Sequence, residues 1–224
     1  MSRVFRLGAS LLLVLVVTGS CADDDDGEAS VDGAVGLPGA GRVAWHFVGQ
    51  IDQDGTDFTA YGFLTRVDGL DESALFTADD RNEDTAVFSV VMESSEATRT
   101  KLNNVTVVDV NGSATIYFDE NPSRTFGDPD TFRRGTEVVN GTVTGQNILN
   151  IDPENRDKGV AAASAEVRQT SAARFELDGE ERQFGREGLV ERLTLSGEGV
   201  RTDATVPRSV IEVAGTMVVT GDSD

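Results

Sequence analysis

The feature that most constrains the fold is an alternation of apolar and polar side chains with a period of two residues. In the segment 45–51, Trp45, Phe47 and Ile51 fall on one face of an extended chain, while His46 falls on the other. Such a strand has one buried and one wet face, which is typical of an antiparallel sheet. The same alternation recurs at 86–92, 114–118, 173–177 and 211–219. The pattern therefore predicts an all-β fold.

Turn dipeptides separate these segments. Asp-Gly or Asn-Gly pairs stand at 54–55, 68–69, 111–112, 140–141 and 178–179. Both pairs accept the positive φ angles of a type I′ hairpin turn. We predict about ten strands, within the ranges 42–51, 57–67, 74–77, 86–93, 99–108, 114–119, 137–148, 159–167, 172–177, 189–200 and 208–220. Sequential hairpins favour an antiparallel up-and-down barrel, and a two-sheet β-sandwich is the alternative.

The chain divides into three parts before any fold is considered. Residues 1–20 contain an apolar run at 7–17, too short to cross a bilayer and preceded by two arginines, which predicts a signal peptide. Residues 21–41 carry four consecutive aspartates and no periodicity, which predicts an acidic flexible tether. Residues 42–221 hold the alternating segments and are predicted to form one all-β domain.

The predicted signal peptide ends at Thr18, Gly19, Ser20 and Cys21. These four residues resemble the lipobox of bacterial lipoproteins. The resemblance implies that Cys21 is lipidated, with acyl chains such as palmitate, and that the protein is anchored on the extracytoplasmic face of the cell membrane. It covers about the first tenth of the chain and implies nothing about the domain. The alternative is an ordinary secretory signal cut near Gly19 or Ser20.

The charge of the chain excludes one class of partner. The formal net charge is -20, with 39 acidic and 19 basic residues, and only Lys101 and Lys158 are lysines. Because a surface this negative repels phosphate backbones, we predict no nucleic-acid partner. It also predicts that membrane contact comes through the lipid on Cys21 and not through a basic patch.

Few residues are available for catalysis or metal binding. His46 is the only histidine and Cys21 the only cysteine, so zinc sites built from these residues lack ligands. No Gly-x-Ser-x-Gly elbow accompanies His46, and we assign no catalytic residue and no organic cofactor. Asp52, Asp54 and Asp57 cluster around a predicted turn and form a weak candidate site for calcium.

One long connection and one run of small residues are candidates for ligand binding. The connection 121–135 contains Phe126, Phe132, Arg133 and Arg134, which form a positive spot on an acidic chain and could meet an anion. The alternative is a loop whose phenylalanines plug a barrel end. The run 159–165 has small side chains that leave room either for a tight barrel corner or for a ligand.

Three functions remain open on the sequence alone. We favour a non-enzymatic, lipid-anchored binding or interaction module for a small apolar ligand or a protein partner. The alternatives are an enzyme that uses a barrel cavity, of the cyclase or isomerase type, and a structural envelope protein. An apolar cavity would favour the first, converging buried carboxylates the second, and a filled interior with a bare edge strand the third.

Overall fold

The computed structural model describes residues 33–203 and 208–222. The predicted signal peptide, the lipobox-like residues and Cys21 lie outside this part of the chain. Within it the protein is all-β, as predicted. The strands are β1 (Ala34–Val35), β2 (Val43–Asp54), β3 (Asp57–Val67), β4 (Phe88–Leu102), β5 (Val105–Phe118), β6 (Thr136–Ile151), β7 (Lys158–Ala172), β8 (Arg174–Leu177), β9 (Glu180–Phe184), β10 (Leu189–Asp203) and β11 (Arg208–Asp222). Two short 3₁₀ helices span Glu72–Ala74 and Pro129–Arg133.

Eight of the strands form a closed barrel, and the other three form a small separate sheet. The order around the barrel is β10-β11-β2-β3-β4-β5-β6-β7. Each barrel strand pairs antiparallel with the next barrel strand along the chain, and the last strand, β11, pairs with the first, β2, to close the ring. The three-stranded sheet has the order β1-β9-β8. The predicted up-and-down topology is therefore present, with eight barrel strands instead of about ten.

The predicted hairpin turns are only partly correct. Asp54-Gly55 joins β2 to β3, and Asp178-Gly179 joins β8 to β9 with both residues at positive φ. Asn111-Gly112 and Asn140-Gly141, however, lie inside β5 and β6, so turns at those places are wrong. The true turn between β4 and β5 is at Asn103 and Asn104, and it joins two strands of 15 and 14 residues where three shorter segments were predicted.

The folded domain also begins earlier than predicted. Residues 33–41 belong to the predicted tether, yet Ala34–Val35 forms β1 and pairs in parallel with β9. Val35 is only 1% exposed and belongs to the main hydrophobic core. Ala34 and Val35 therefore belong to the folded part of the chain. The sequence did not reveal them, because a two-residue strand is too short to show any periodicity.

The two ends of the barrel are built differently. Short turns join β2 to β3, β4 to β5 and β6 to β7 at one end, which we call the hairpin end. The long connections 68–87, 119–135 and 173–188 leave the barrel at the other end, and the last of them carries β8 and β9. Phe88 of the barrel contacts Phe175 and Phe184 of the small sheet, with ring centroids 5.6 and 5.7 Å apart. The small sheet therefore fills this second end, which we call the closed end.

The predicted faces of β2 agree with the structure. Trp45 and Phe47 are each 2% exposed and belong to the core, while His46 lies on the outer face and is half-buried. In the described residues no helix has the length and apolar character needed to span a membrane.

Candidate functional site

The hairpin end of the barrel opens into a cavity of about 300 Å³. Its apolar wall comes from inward-facing residues of β6, β7 and β11, chiefly Leu149, Ile151, Ala161 and Ile211. Pairing of Ile151 with Gly159 places a large side chain beside a residue without one. Gly159 and Ala161 belong to the run of small residues from which the sequence predicted free space, and both line this cavity.

Basic side chains surround the same cavity. Six of its lining residues are basic and one, Asp157, is acidic; the basic ones are Arg99, Lys101, Arg156, Lys158, Arg201 and Arg208. Both lysines of the chain are among them. Lys101 pairs across strands with the buried, cavity-lining Thr106, and Arg201 pairs with the cavity-lining Ser209. Paired residues share a face of the sheet, so Lys101 and Arg201 belong to the inward-facing set. Lys158 pairs with the exposed Val200, so it lines the opening from the rim and not from the inner face.

Two of the six cations are neutralised by neighbours and four are not. Arg99 forms an ion pair with Glu96, and Arg208 Nε lies 2.8 Å from Asp54 Oδ1. Lys101, Arg156, Lys158 and Arg201 form no ion pair with any other residue that the structure describes. The mouth of the barrel therefore carries local positive charge on a chain of formal charge -20.

Two polar residues of the cavity wall near the mouth are held in place by hydrogen bonds. Gln53 is buried, and its Nε2 donates to the backbone oxygen of Gly55 at 3.0 Å. The hydroxyl of Ser209 donates to Gln53 Oε1 at 3.1 Å. These bonds join β11 to the turn after β2, so the amide has little freedom to reorient. These polar groups are therefore in place before any ligand enters.

The residues predicted in the connection 121–135 lie elsewhere. Phe132 is buried against the outer wall of the barrel, with ring centroids 5.2 Å from Tyr61 and 5.0 Å from Phe126. Arg133 Nη2 lies 2.8 Å from Glu93 Oε1, and Arg134 Nη1 donates to the backbone oxygen of Ser123 at 3.2 Å. The connection covers the side of the barrel and not its mouth, and none of the four predicted residues lines the cavity.

The three aspartates of the predicted calcium site do not converge. Asp52 accepts hydrogen bonds from Gln50 and from the hydroxyl of Tyr61, Asp54 pairs with Arg208, and Asp57 accepts from Ser95. Burial and the neighbouring Asp52 carboxylate raise the pKa of Tyr61, so it stays protonated. Among the described residues, no group of three or more carboxylate, imidazole or thiol side chains is placed to hold a metal ion.

A second polar cluster lies deep inside the barrel, away from the cavity. Glu191 of β10 is 1% exposed, and Gln169 Nε2 donates to its Oε2 at 3.0 Å. Glu191 Oε1 and the indole Nε1 of Trp45 are buried without a hydrogen-bond partner in the described structure. Burial raises the pKa of Glu191 to about 7, against the opposing influence of Gln169 and Trp45.

Gln169 connects this carboxyl group to the closed end. Its Oε1 accepts a hydrogen bond from the backbone N–H of Arg186 at 3.0 Å, and its backbone oxygen accepts from Gly188 at 2.9 Å. Arg186 and Gly188 lie in the segment that leads from the small sheet back into β10. The buried cluster therefore fastens that segment to the barrel interior. Sequence reasoning missed it, although Glu191 falls in register with Leu189, Leu193 and Leu195.

The buried Glu191 makes stability depend on pH. Because its folded-state pKa is raised above the unfolded value of 4.5, the folded protein holds the proton more tightly, and stability falls as pH rises from about 4.5 to about 7. Glutamine does not titrate, so we expect the free energy of unfolding of Glu191→Gln to fall by roughly 2 kcal/mol less than that of the parent protein between about pH 5 and pH 8. Urea unfolding of both proteins across this range measures the difference. Identical pH profiles would contradict the assignment.

The six basic residues around the opening of the cavity, which we call the cationic mouth, are not marked by any motif or local pattern in the sequence. Its basic residues come from β4, β7, β10, β11 and the turn after β6, which are far apart in the chain. The one available signal is that both lysines lie next to hairpin turns, Lys101 two residues before Asn103 and Lys158 at the start of β7. Comparisons with protein-family models, with curated proteins and with solved structures found no match to this chain.

Proposed function

We propose that the protein is a lipid-anchored, extracytoplasmic binding module that takes a small, largely apolar ligand into the hairpin end of its barrel. The observation that carries the proposal is the cavity of about 300 Å³, which combines an apolar wall with a few fixed polar groups. Small-molecule sites in proteins have this composition, and the mouths of β-barrels are among the places where they preferentially form. Membrane attachment through Cys21 rests on the lipobox-like residues alone.

The shape of the barrel supports a binding role over a structural one. In the described part of the chain the large sheet closes on itself, so it presents no edge strand for self-association. The closed end is filled by aromatic side chains, whereas the hairpin end is open. A barrel with one filled end and one open end has a single route by which a ligand reaches its interior.

The carboxylates do not favour the enzyme alternative. A barrel-cavity enzyme of the kind considered needs acid and base groups that face the same space. The carboxyl group with the strongly raised pKa, Glu191, does not line the cavity, and the lining carboxylate is Asp157 at the rim. We therefore propose binding without chemistry.

Filling the cavity tests the proposal. Ala161 lines the cavity, so we expect Ala161→Phe to occupy the ligand's space and to abolish retention of a co-purifying small molecule. Native mass spectrometry of protein purified from its own membrane measures that retention. Ala162→Phe is the matched control, because Ala162 is exposed on the outer face of the same strand. Equal retention by the two variants, or no small molecule on the parent protein, would contradict the proposal.

A further inference from the structure

The charged residues that line the cavity restrict the chemistry of the ligand more than the apolar wall of the cavity does. Six basic residues and one acidic residue line the same opening, and four of the basic ones form no ion pair with a described residue. Like charges held around a partly enclosed space repel one another, and that repulsion is relieved when an anion enters. A purely apolar ligand would leave the four charges uncompensated.

The cations face the opening from different sides. Lys101 lies on β4 and Lys158 on β7, and β5 and β6 stand between these strands in the ring. Arg201 follows on β10, the next strand around. An anionic group at the rim would therefore be approached from several directions at once, as a bound head group requires. The apolar residues Leu149, Ala161 and Ile211 lie further along their strands from the turns, toward the interior.

The volume limits the size of the ligand. A water molecule takes about 30 Å³ of liquid, so a cavity of about 300 Å³ holds roughly ten non-hydrogen atoms. That is enough for one short alkyl chain, and too little for a whole membrane lipid with two chains.

We propose that the ligand is a single-chain amphiphile with a chain of about ten heavy atoms and an oxyanion head, a carboxylate or a phosphate monoester. The head lies among Lys101, Lys158 and Arg201 at the rim, and the chain lies along the apolar wall. This inference rests on the proposed function, and it adds the chemical class of the ligand. Arginine and lysine both bind such heads, arginine through two donors and lysine as a point charge.

Calorimetric titration of the full chain with matched ten-carbon ligands tests the charge of the head. We expect decanoate to bind at least tenfold more tightly than decanol, and added salt to weaken decanoate more than decanol. Comparing the affinities of decyl phosphate and decanoate shows whether the site prefers a phosphate or a carboxylate, and either preference supports an anionic head. Equal affinity for decanoate and decanol would overturn the anionic head while leaving the apolar cavity. No binding of any ten-carbon ligand would overturn both the head and the proposed function.

A double substitution locates the head. We expect Lys101→Gln with Lys158→Gln to weaken decanoate at least tenfold and to leave decanol unchanged, because the exposed side chains keep nearly their size and lose only their charge. Arg66→Gln with Arg192→Gln is the matched control, since both arginines are exposed on the outer wall. Equal weakening by the two double variants would show that net charge alone governs binding, and would overturn the rim site. Thermal melting of each variant confirms that the fold is kept.

Discussion

Replacing Phe88 with alanine is expected to lower the free energy of unfolding by about 4 kcal/mol, which is typical of removing a large buried aromatic ring. Phe88 is 0% exposed and lies at the meeting point of the barrel and the small sheet. Its ring contacts Phe118, Phe175 and Phe184 at centroid distances of 5.4, 5.6 and 5.7 Å. Its loss would leave a cavity at the closed end that these rings cannot fill without moving the small sheet.

Thermal and urea unfolding measure the effect of Phe88→Ala, and we expect the melting temperature to fall by roughly 10 °C. Hydrogen exchange adds a local readout, because β8 and β9 should lose protection before the barrel strands do. Leu102→Ala is the control, since Leu102 is 70% exposed near the opposite end and should change stability little. A melting temperature within a degree or two of the parent would contradict the role given to Phe88.

Replacing Gly112 with alanine is expected to cost about 3 kcal/mol, at the upper end of what overpacking usually costs. A Cβ atom at this position would lie 1.9 Å from the backbone oxygen of Glu93 and 2.7 Å from the Cα atom of Ser94. Both obstacles are backbone atoms of the neighbouring strand β4, so no side chain can turn away to make room. The two strands would have to separate at this point.

Gly39→Ala provides the matched control for this substitution. A Cβ atom at Gly39 meets nothing within 4 Å, and its φ is not left-handed, so alanine fits without strain. Urea unfolding compares the two variants directly, and a loss at Gly112 no larger than that at Gly39 would contradict the close approach of β4 and β5.

Gly112 also explains why the turn prediction failed there. Asn-Gly is a strong hairpin signal because glycine accepts positive φ, yet a glycine is equally required where two backbones come too close for a side chain. A dipeptide alone does not distinguish these two needs. At Asp178-Gly179 the conformational need applies, with both residues at positive φ, and the prediction is correct.

The fold was more predictable than the site because alternation is a local property. The positions of Trp45 and Phe47 reveal the inward face of β2 from that strand alone. Enough strands have the same alternation to predict a closed antiparallel sheet. The cationic mouth depends instead on register. Lys101 and Arg201 are about a hundred residues apart in the chain, and only the closure of the ring brings them to one opening.

The residues predicted to bind a ligand in the connection 121–135 do not line the cavity, for a related physical reason. Arg133 and Arg134 stand out in the sequence because acidic residues dominate their surroundings, but the fold supplies each with an acceptor, the carboxylate of Glu93 and the backbone oxygen of Ser123. Phe132 and Phe126 in turn pack on Tyr61 at the outer wall. Local charge contrast thus identified residues with a structural role, whereas the uncompensated charges were spread over distant strands.

Photocrosslinking with a diazirine-bearing decanoate tests the central claim most directly, because it reports where a bound chain lies. We predict labelling of cavity-lining segments of the barrel around residues 149–161, 199–201 and 208–211, which excess decanoate suppresses. Suppressible labelling confined to the connection 121–135, on the outer wall beside Phe126 and Phe132, would contradict a binding site at the hairpin end.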